Sequence, residues 1–179
     1  MHAARPIAVF DSGIGGLSVW REIRRELPAE PLLYFADQAH VPYGRRELGE
    51  ILGLCRAATR FLRAAGAKLV VLACNTASAA ALHPLRAEHP DLPFVGMEPA
   101  VKPAAESTET GRVAVLATEA TFQGQLFASV VERFAESVEV RRQICPGLVE
   151  RIEAGDVHLE TLEPQPFRGL PLAELRLPA

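Results

Sequence analysis

A cysteine stands at a position in this chain where thiol chemistry is favoured. In VVLACNTASAA, residues 70–80, an apolar run ends on Cys74, and Asn75 and Thr76 open what reads as a helix. A helix N-terminus offers free N–H groups and a partial positive charge, which stabilise a thiolate and lower its pKa. Asn75 and Thr76 suit both capping and hydrogen bonding to a ligand. Small residues at 77–79 allow that helix to pack closely. Cys55 differs: it sits at core spacing on a long helical stretch and reads as a small buried hydrophobe.

A second group of candidates follows the first apolar run. Asp11-Ser12-Gly13-Ile14-Gly15-Gly16 is a glycine-rich turn through which the backbone can approach a ligand. Gly13 and Gly15 fit the first two glycines of a dinucleotide loop, and Asp37 ends the next strand where a ribose-binding acid would lie. The third glycine position is Ser18, however, and the Asp11 charge at the loop entrance would repel a pyrophosphate. Tyr43 and Gly44 belong to a Pro-Tyr-Gly turn. Thr118 and Thr121 precede another helix start, where they can cap it or hold a carboxylate.

The elements that must position these residues alternate between strand and helix. Strands are expected at residues 6–11, 31–37, 68–74, 94–97, 112–117 and 138–143, as short apolar, β-branched runs. Helices are expected at 17–27, 47–65, 76–89, 123–134 and 148–154, with Pro84 bending or splitting the third. Residues 98–111 carry two prolines and read as a domain crossover. Strand–helix alternation implies parallel sheets covered by helices on both faces, an α/β class, with ligands at the carboxyl ends of the strands. Cys74, Asp11, Asp37 and Thr118 all stand at such ends.

Composition excludes several functions. The 179 residues carry a net charge of -3, which gives no reason to expect nucleic acid or a membrane surface as partner. No apolar run approaches the roughly 18 residues of a membrane span, and no signal-peptide layout opens the chain, so a cytoplasmic location is expected. Three widely spaced cysteines make neither a disulfide framework nor a zinc site. Lys68 and Lys102 are the only lysines, and neither is placed for a Schiff base.

VFDSGIGGLSV, YFADQAHVPYG, VVLACNTASA, VAVLATEAT and CPGLVERIEAG, in this order from Val9 to Gly155, resemble the glutamate racemases of the aspartate/glutamate racemase superfamily. The resemblance implies two similar parallel-sheet α/β domains with the site in the cleft between them. It implies a cofactor-independent isomerase that interconverts L- and D-glutamate for peptidoglycan. Asp11, Ser12, Tyr43, Gly44, Asn75, Thr76, Thr118 and Thr121 match substrate-binding positions, Cys74 matches the first catalytic cysteine with Asp11 beside it, and Glu153 matches a glutamate near the site. The family's usual glycine before the first threonine is Ala117 here. A small-molecule partner, glutamate, is implied, with the oligomeric state, a homodimer included, left open.

The departure from the family lies downstream. The family's second catalytic cysteine occupies a Gly-Cys-Thr-His motif, and this sequence has neither that motif nor any cysteine after Cys145. The expected organisation is a first domain at 1–98, a partial second domain at 99–157, and a Pro-rich tail at 158–179 without family resemblance, the second domain being incomplete. Impaired racemisation follows as an expectation. The rivals are an inactive remnant or binding module for acidic amino acids, and an aspartate- or hydantoin-type racemase relative.

Overall fold

The structure is a computed structural model that describes residues 5–156; the expected tail at 158–179 lies outside the described residues. Two parallel sheets organise it. The first contains β1 (Ile7–Asp11), β2 (Leu32–Ala36), β3 (Leu69–Leu72) and β4 (Phe94–Val95) in the order β2-β1-β3-β4. The second contains β5 (Arg112–Ala117) paired in parallel with β6 (Glu139–Ile144), in register from Arg112 opposite Glu139 to Ala117 opposite Ile144.

β1 is central and wholly buried, which is why IAVFD shows no polar alternation before its last residue. Around it lie α1 (Leu17–Glu26), α2 (Leu48–Ala64) and α3 (Asn75–Glu88). α2 places Ile51, Cys55, Ala58 and Leu62 in the main core, at spacings of three and four residues that keep one face inward. Cys55 is therefore a core residue, packed with Phe10, Tyr43 and Leu72. A smaller cluster around Val101, Phe127 and Val130 ties the second sheet to α4 (Val101–Ser107) and α6 (Gln125–Phe134).

Four local expectations are corrected. α3 runs unbroken through Pro84 rather than splitting there. The 98–111 segment contains α4, because Pro103 falls in its first turn, where the missing N–H has no intrahelical partner to lose. The helix expected at 123–134 begins at Gln125 as α6, and a separate short helix, α5 (Glu119–Gln123), precedes it across Gly124. A Cβ on Gly124 would stand 2.7 Å from Ala79 Cβ and 2.9 Å from its carbonyl oxygen. That close approach to α3 is where the small residues at 77–79 meet the second half of the molecule. β3 also ends at Leu72, so Cys74 belongs to the helix cap rather than to the strand. The last helix is α7 (Leu148–Glu153). Among the described residues no helix is long and apolar enough to cross a membrane.

Candidate active site

The carboxyl ends of β1, β3 and β5 converge on one cavity of about 480 Å³ between the two sheets. Asp11, Ser12, Tyr43, Gly44, Cys74, Asn75, Thr76, Thr118, Thr121 and Glu153, the ten residues singled out in the sequence, all line it.

The glycine-rich loop after β1 wraps around its own aspartate. Asp11 is buried; its Oδ1 accepts from the Ser12 N–H at 2.8 Å and its Oδ2 from the Gly16 N–H at 2.7 Å. A Cβ on Gly16 would lie 2.8 Å from Asp11 Cβ, so only glycine lets the loop close this tightly. The N–H groups that a pyrophosphate would need are thus taken by a carboxylate. Asp37 is likewise engaged, with Tyr43 and His40. The dinucleotide alternative finds the Ser12, Ile14 and Gly16 N–H groups of this loop already bonded to carboxylates.

Cys74 is the N-cap residue of α3, and its Sγ accepts from the Ala77 N–H at 3.5 Å. Ser12 Oγ lies 3.5 Å from the same sulfur. The expected acidic thiol is not what the structure shows. Burial pushes the Cys74 pKa up to about 11, with the Asp11 charge acting in the same direction. The hydrogen bonds from Ser12 and Ala77 pull the other way and do not win. The helix N-terminus is present, but burial of the sulfur and the Asp11 charge outweigh it.

Three threonine hydroxyls join the sheets. Thr76 Oγ1 is 2.9 Å from Thr118 Oγ1 and 3.2 Å from Thr121 Oγ1, and the last two are 2.9 Å apart. Thr118 also caps α5 by accepting from the Thr121 N–H. Each hydroxyl has one proton to give, so a closed ring of three satisfies all of them. Beside the ring, Asn75 Oδ1 is buried with no hydrogen-bond partner. A buried acceptor left alone in a cavity wall suits a ligand donor.

Contacts across the cleft hold it closed. Glu153 Oε1 accepts from the Ile14 N–H at 2.9 Å, and its Oε2 from Gln38 Nε2 at 3.0 Å. Arg45 pairs with Glu150 at 2.5 Å. Gly44 faces Thr118 so closely that a Cβ there would lie 2.5 Å from Thr118 Cγ2. Sequence reasoning missed the apolar wall of Val19, Met97, Val115, Val149 and Ile152. It also missed Gln38 as partner of Glu153; most of these residues lie within the quoted motifs, but their facing contacts arise only when the two sheets meet. Cys145 does not line this cavity. It is buried beside a smaller one of about 210 Å³ with Pro42, Arg45 and Glu150.

The Asp/Glu/Hydantoin racemase family matches residues 7–164. The glutamate racemase of Pseudomonas paraeruginosa is 60% identical over 153 residues, which cover 86% of this chain and 58% of that protein. The glutamate racemase of Roseiflexus is 60% identical over 154 residues, covering 86% of this chain and 57% of that protein. Among solved structures, Escherichia coli glutamate racemase in complex with L-glutamate and the activator UDP-MurNAc-Ala superimposes with a TM-score of 0.83 at 36% identity, over 97% of this chain and 66% of that one. Francisella tularensis glutamate racemase in complex with D-glutamate gives 0.74 at 32% identity, over 84% and 57% of the two chains. The chain spans a little over half the length of the curated relatives it matches.

Proposed function

Because the chain belongs to the Asp/Glu/Hydantoin racemase family, we propose that its cavity binds glutamate and that Cys74 moves the proton on the α-carbon. The observation that carries this is the convergence of one thiol, the Asp11 and Glu153 carboxylates, the three threonine hydroxyls and an unpartnered amide oxygen on a single cavity between the two sheets. A bound carboxylate takes hydroxyl protons that the threonine ring otherwise keeps within itself, and Asn75 Oδ1 is an acceptor for an ammonium. The wider reading is a cytoplasmic enzyme that supplies D-glutamate to peptidoglycan, using no cofactor and built from two α/β units that meet near residue 98.

The chemistry is proton transfer at carbon. The Cys74 thiolate removes the α-proton, forming an S–H bond and leaving the electron pair on the α-carbon, delocalised into the carboxylate. The thiol then returns a proton to the same face. An incoming ammonium favours the thiolate by opposing the Asp11 charge, which offsets part of the burial that pushes the Cys74 pKa up. Inversion needs a second acid on the opposite face. Among the described residues Cys74 is the one cysteine that lines the cavity. This 179-residue polypeptide is therefore expected to exchange the α-proton without inverting the centre.

A second reading, binding without turnover, is favoured by the burial that pushes the Cys74 pKa up. Incubation of each glutamate enantiomer with the protein in heavy water separates the two. Loss of the α-proton signal from one enantiomer supports exchange, whereas calorimetric binding with no exchange supports the binding module. No binding of glutamate alongside binding of aspartate or a hydantoin would move the chain to another branch of the family.

A further inference from the structure

Asp37 stands behind the cavity rather than in its wall, and the proton transfer does not use it. We propose that Asp37 is a positioning residue for ligand binding, acting through Tyr43. The inference rests on the glutamate reading above.

Four observations carry it. Tyr43, almost wholly buried, lines the cavity and donates its hydroxyl proton to Asp37 Oδ2 at 2.6 Å. Asp37 Oδ1 lies 2.7 Å from His40 Nδ1, so both carboxylate oxygens hold residues of one turn. The Asp37 N–H donates to the carbonyl oxygen of Asp11 at 3.0 Å, which fixes it to the strand end that carries the site aspartate. The far side of the turn is pinned by Arg46, whose guanidinium donates twice to the His40 carbonyl, at 3.1 and 2.9 Å.

A phenol bonded to a carboxylate is a charge-assisted hydrogen bond, shorter and stronger than a neutral one. Here it sets the rotamer of a ring packed edge-on against Phe10. It thereby fixes Gly44, which follows Tyr43 and meets Thr118 with no room for a Cβ. Asp37 thus sets how the Tyr43–Gly44 edge faces the threonine ring. Its side chain is only 12% exposed, so solvent does little to weaken the bond.

The test is glutamate binding by calorimetry and α-deuterium exchange with Asp37→Asn, Tyr43→Phe and the double variant. Asn keeps the shape and a neutral acceptor, so the fold survives, and circular dichroism and thermal melting confirm it. Each single variant should weaken the Kd about tenfold, the effect of losing one hydrogen bond to a charged group. The double variant should be no weaker than the worse single by more than about threefold, because both act on the same bond, which Asn weakens and Phe removes. Exchange by Asp37→Asn at saturating glutamate should stay within about threefold of the unsubstituted chain, a split that general destabilisation would not give. Effects that multiply, or an unchanged Kd in Asp37→Asn, overturn the proposal. If the unsubstituted chain binds no glutamate, the functional reading fails and a proton spectrum decides the positioning claim. A slowly exchanging phenolic proton, lost in Tyr43→Phe and shifted in Asp37→Asn, supports it; no such proton overturns it.

Discussion

The direction of the Cys74 shift makes a quantitative demand on thiol labelling. A thiol with an ordinary pKa near 9 and one pushed up to about 11 differ by two pH units, so at neutral pH the thiolate of Cys74 is about a hundredfold scarcer. Alkylation runs through the thiolate. Iodoacetamide should therefore label Cys74 at least about a hundredfold more slowly than a free thiol at pH 7.5. The rate should climb about tenfold per pH unit and level off near pH 11. Asp11→Asn removes the nearest negative charge and should speed labelling several-fold at pH 7.5, since the second cause of the shift is gone while burial remains. The assay is timed labelling of folded protein with peptide mapping, Cys55 serving as a second buried thiol, also shifted upward by burial. A rate that levels off at or below pH 8 would show that the α3 N-terminus outweighs burial and Asp11, and the reasoning would fail.

Three other expectations follow from the same geometry. Cys74 has a folded pKa above its unfolded one, so its contribution to stability is intact below pH 9 and is lost as pH rises toward 11; between pH 8 and 10.5 the unfolding free energy from urea titration should fall by about 2 kcal/mol more in the unsubstituted chain than in Cys74→Ala, and equal falls would contradict the shift. Gly44→Ala forces a Cβ against Thr118 and should cost about 2 kcal/mol, read as a Tm lower by about 4–8 °C, whereas an unchanged Tm would mean that the two sheets slide apart freely. Glu153→Ala releases Ile14 and Gln38 and should raise the Cys74 labelling rate several-fold with little change in Tm; an unchanged rate would show that these contacts do not hold the cleft shut.

Much of this molecule is readable from the chain because parallel strands buried on both faces appear as unbroken apolar runs. PIAVF, KLVVLA and RVAVLA announced β1, β3 and β5, and the polar residues just after them marked where a site would form. The periodicity of 47–65 identified its core face, Ile51 and Cys55 included. What could not be read depends on contacts distant in sequence. α4 was hidden by prolines that only its first-turn position renders harmless. The break at Gly124 exists because α3 approaches there, with Ala79 against the glycine. The sign of the Cys74 shift was misread for a similar reason. The helix N-terminus is local and visible in NTASAA, but the opposing carboxylate comes from Asp11 on another strand, and the burial comes from a core assembled from residues distant in sequence.

The central claim, a glutamate site in which Cys74 is the single proton carrier, is tested most directly by proton NMR of D- and L-glutamate in heavy water with the 179-residue protein and its Cys74→Ser variant, followed by chiral chromatography. The account predicts slow loss of the α-proton signal from one enantiomer, no appearance of the opposite enantiomer, and no exchange in Cys74→Ser. Sustained inversion in both directions by homogeneous protein, or exchange that survives Cys74→Ser, would contradict it.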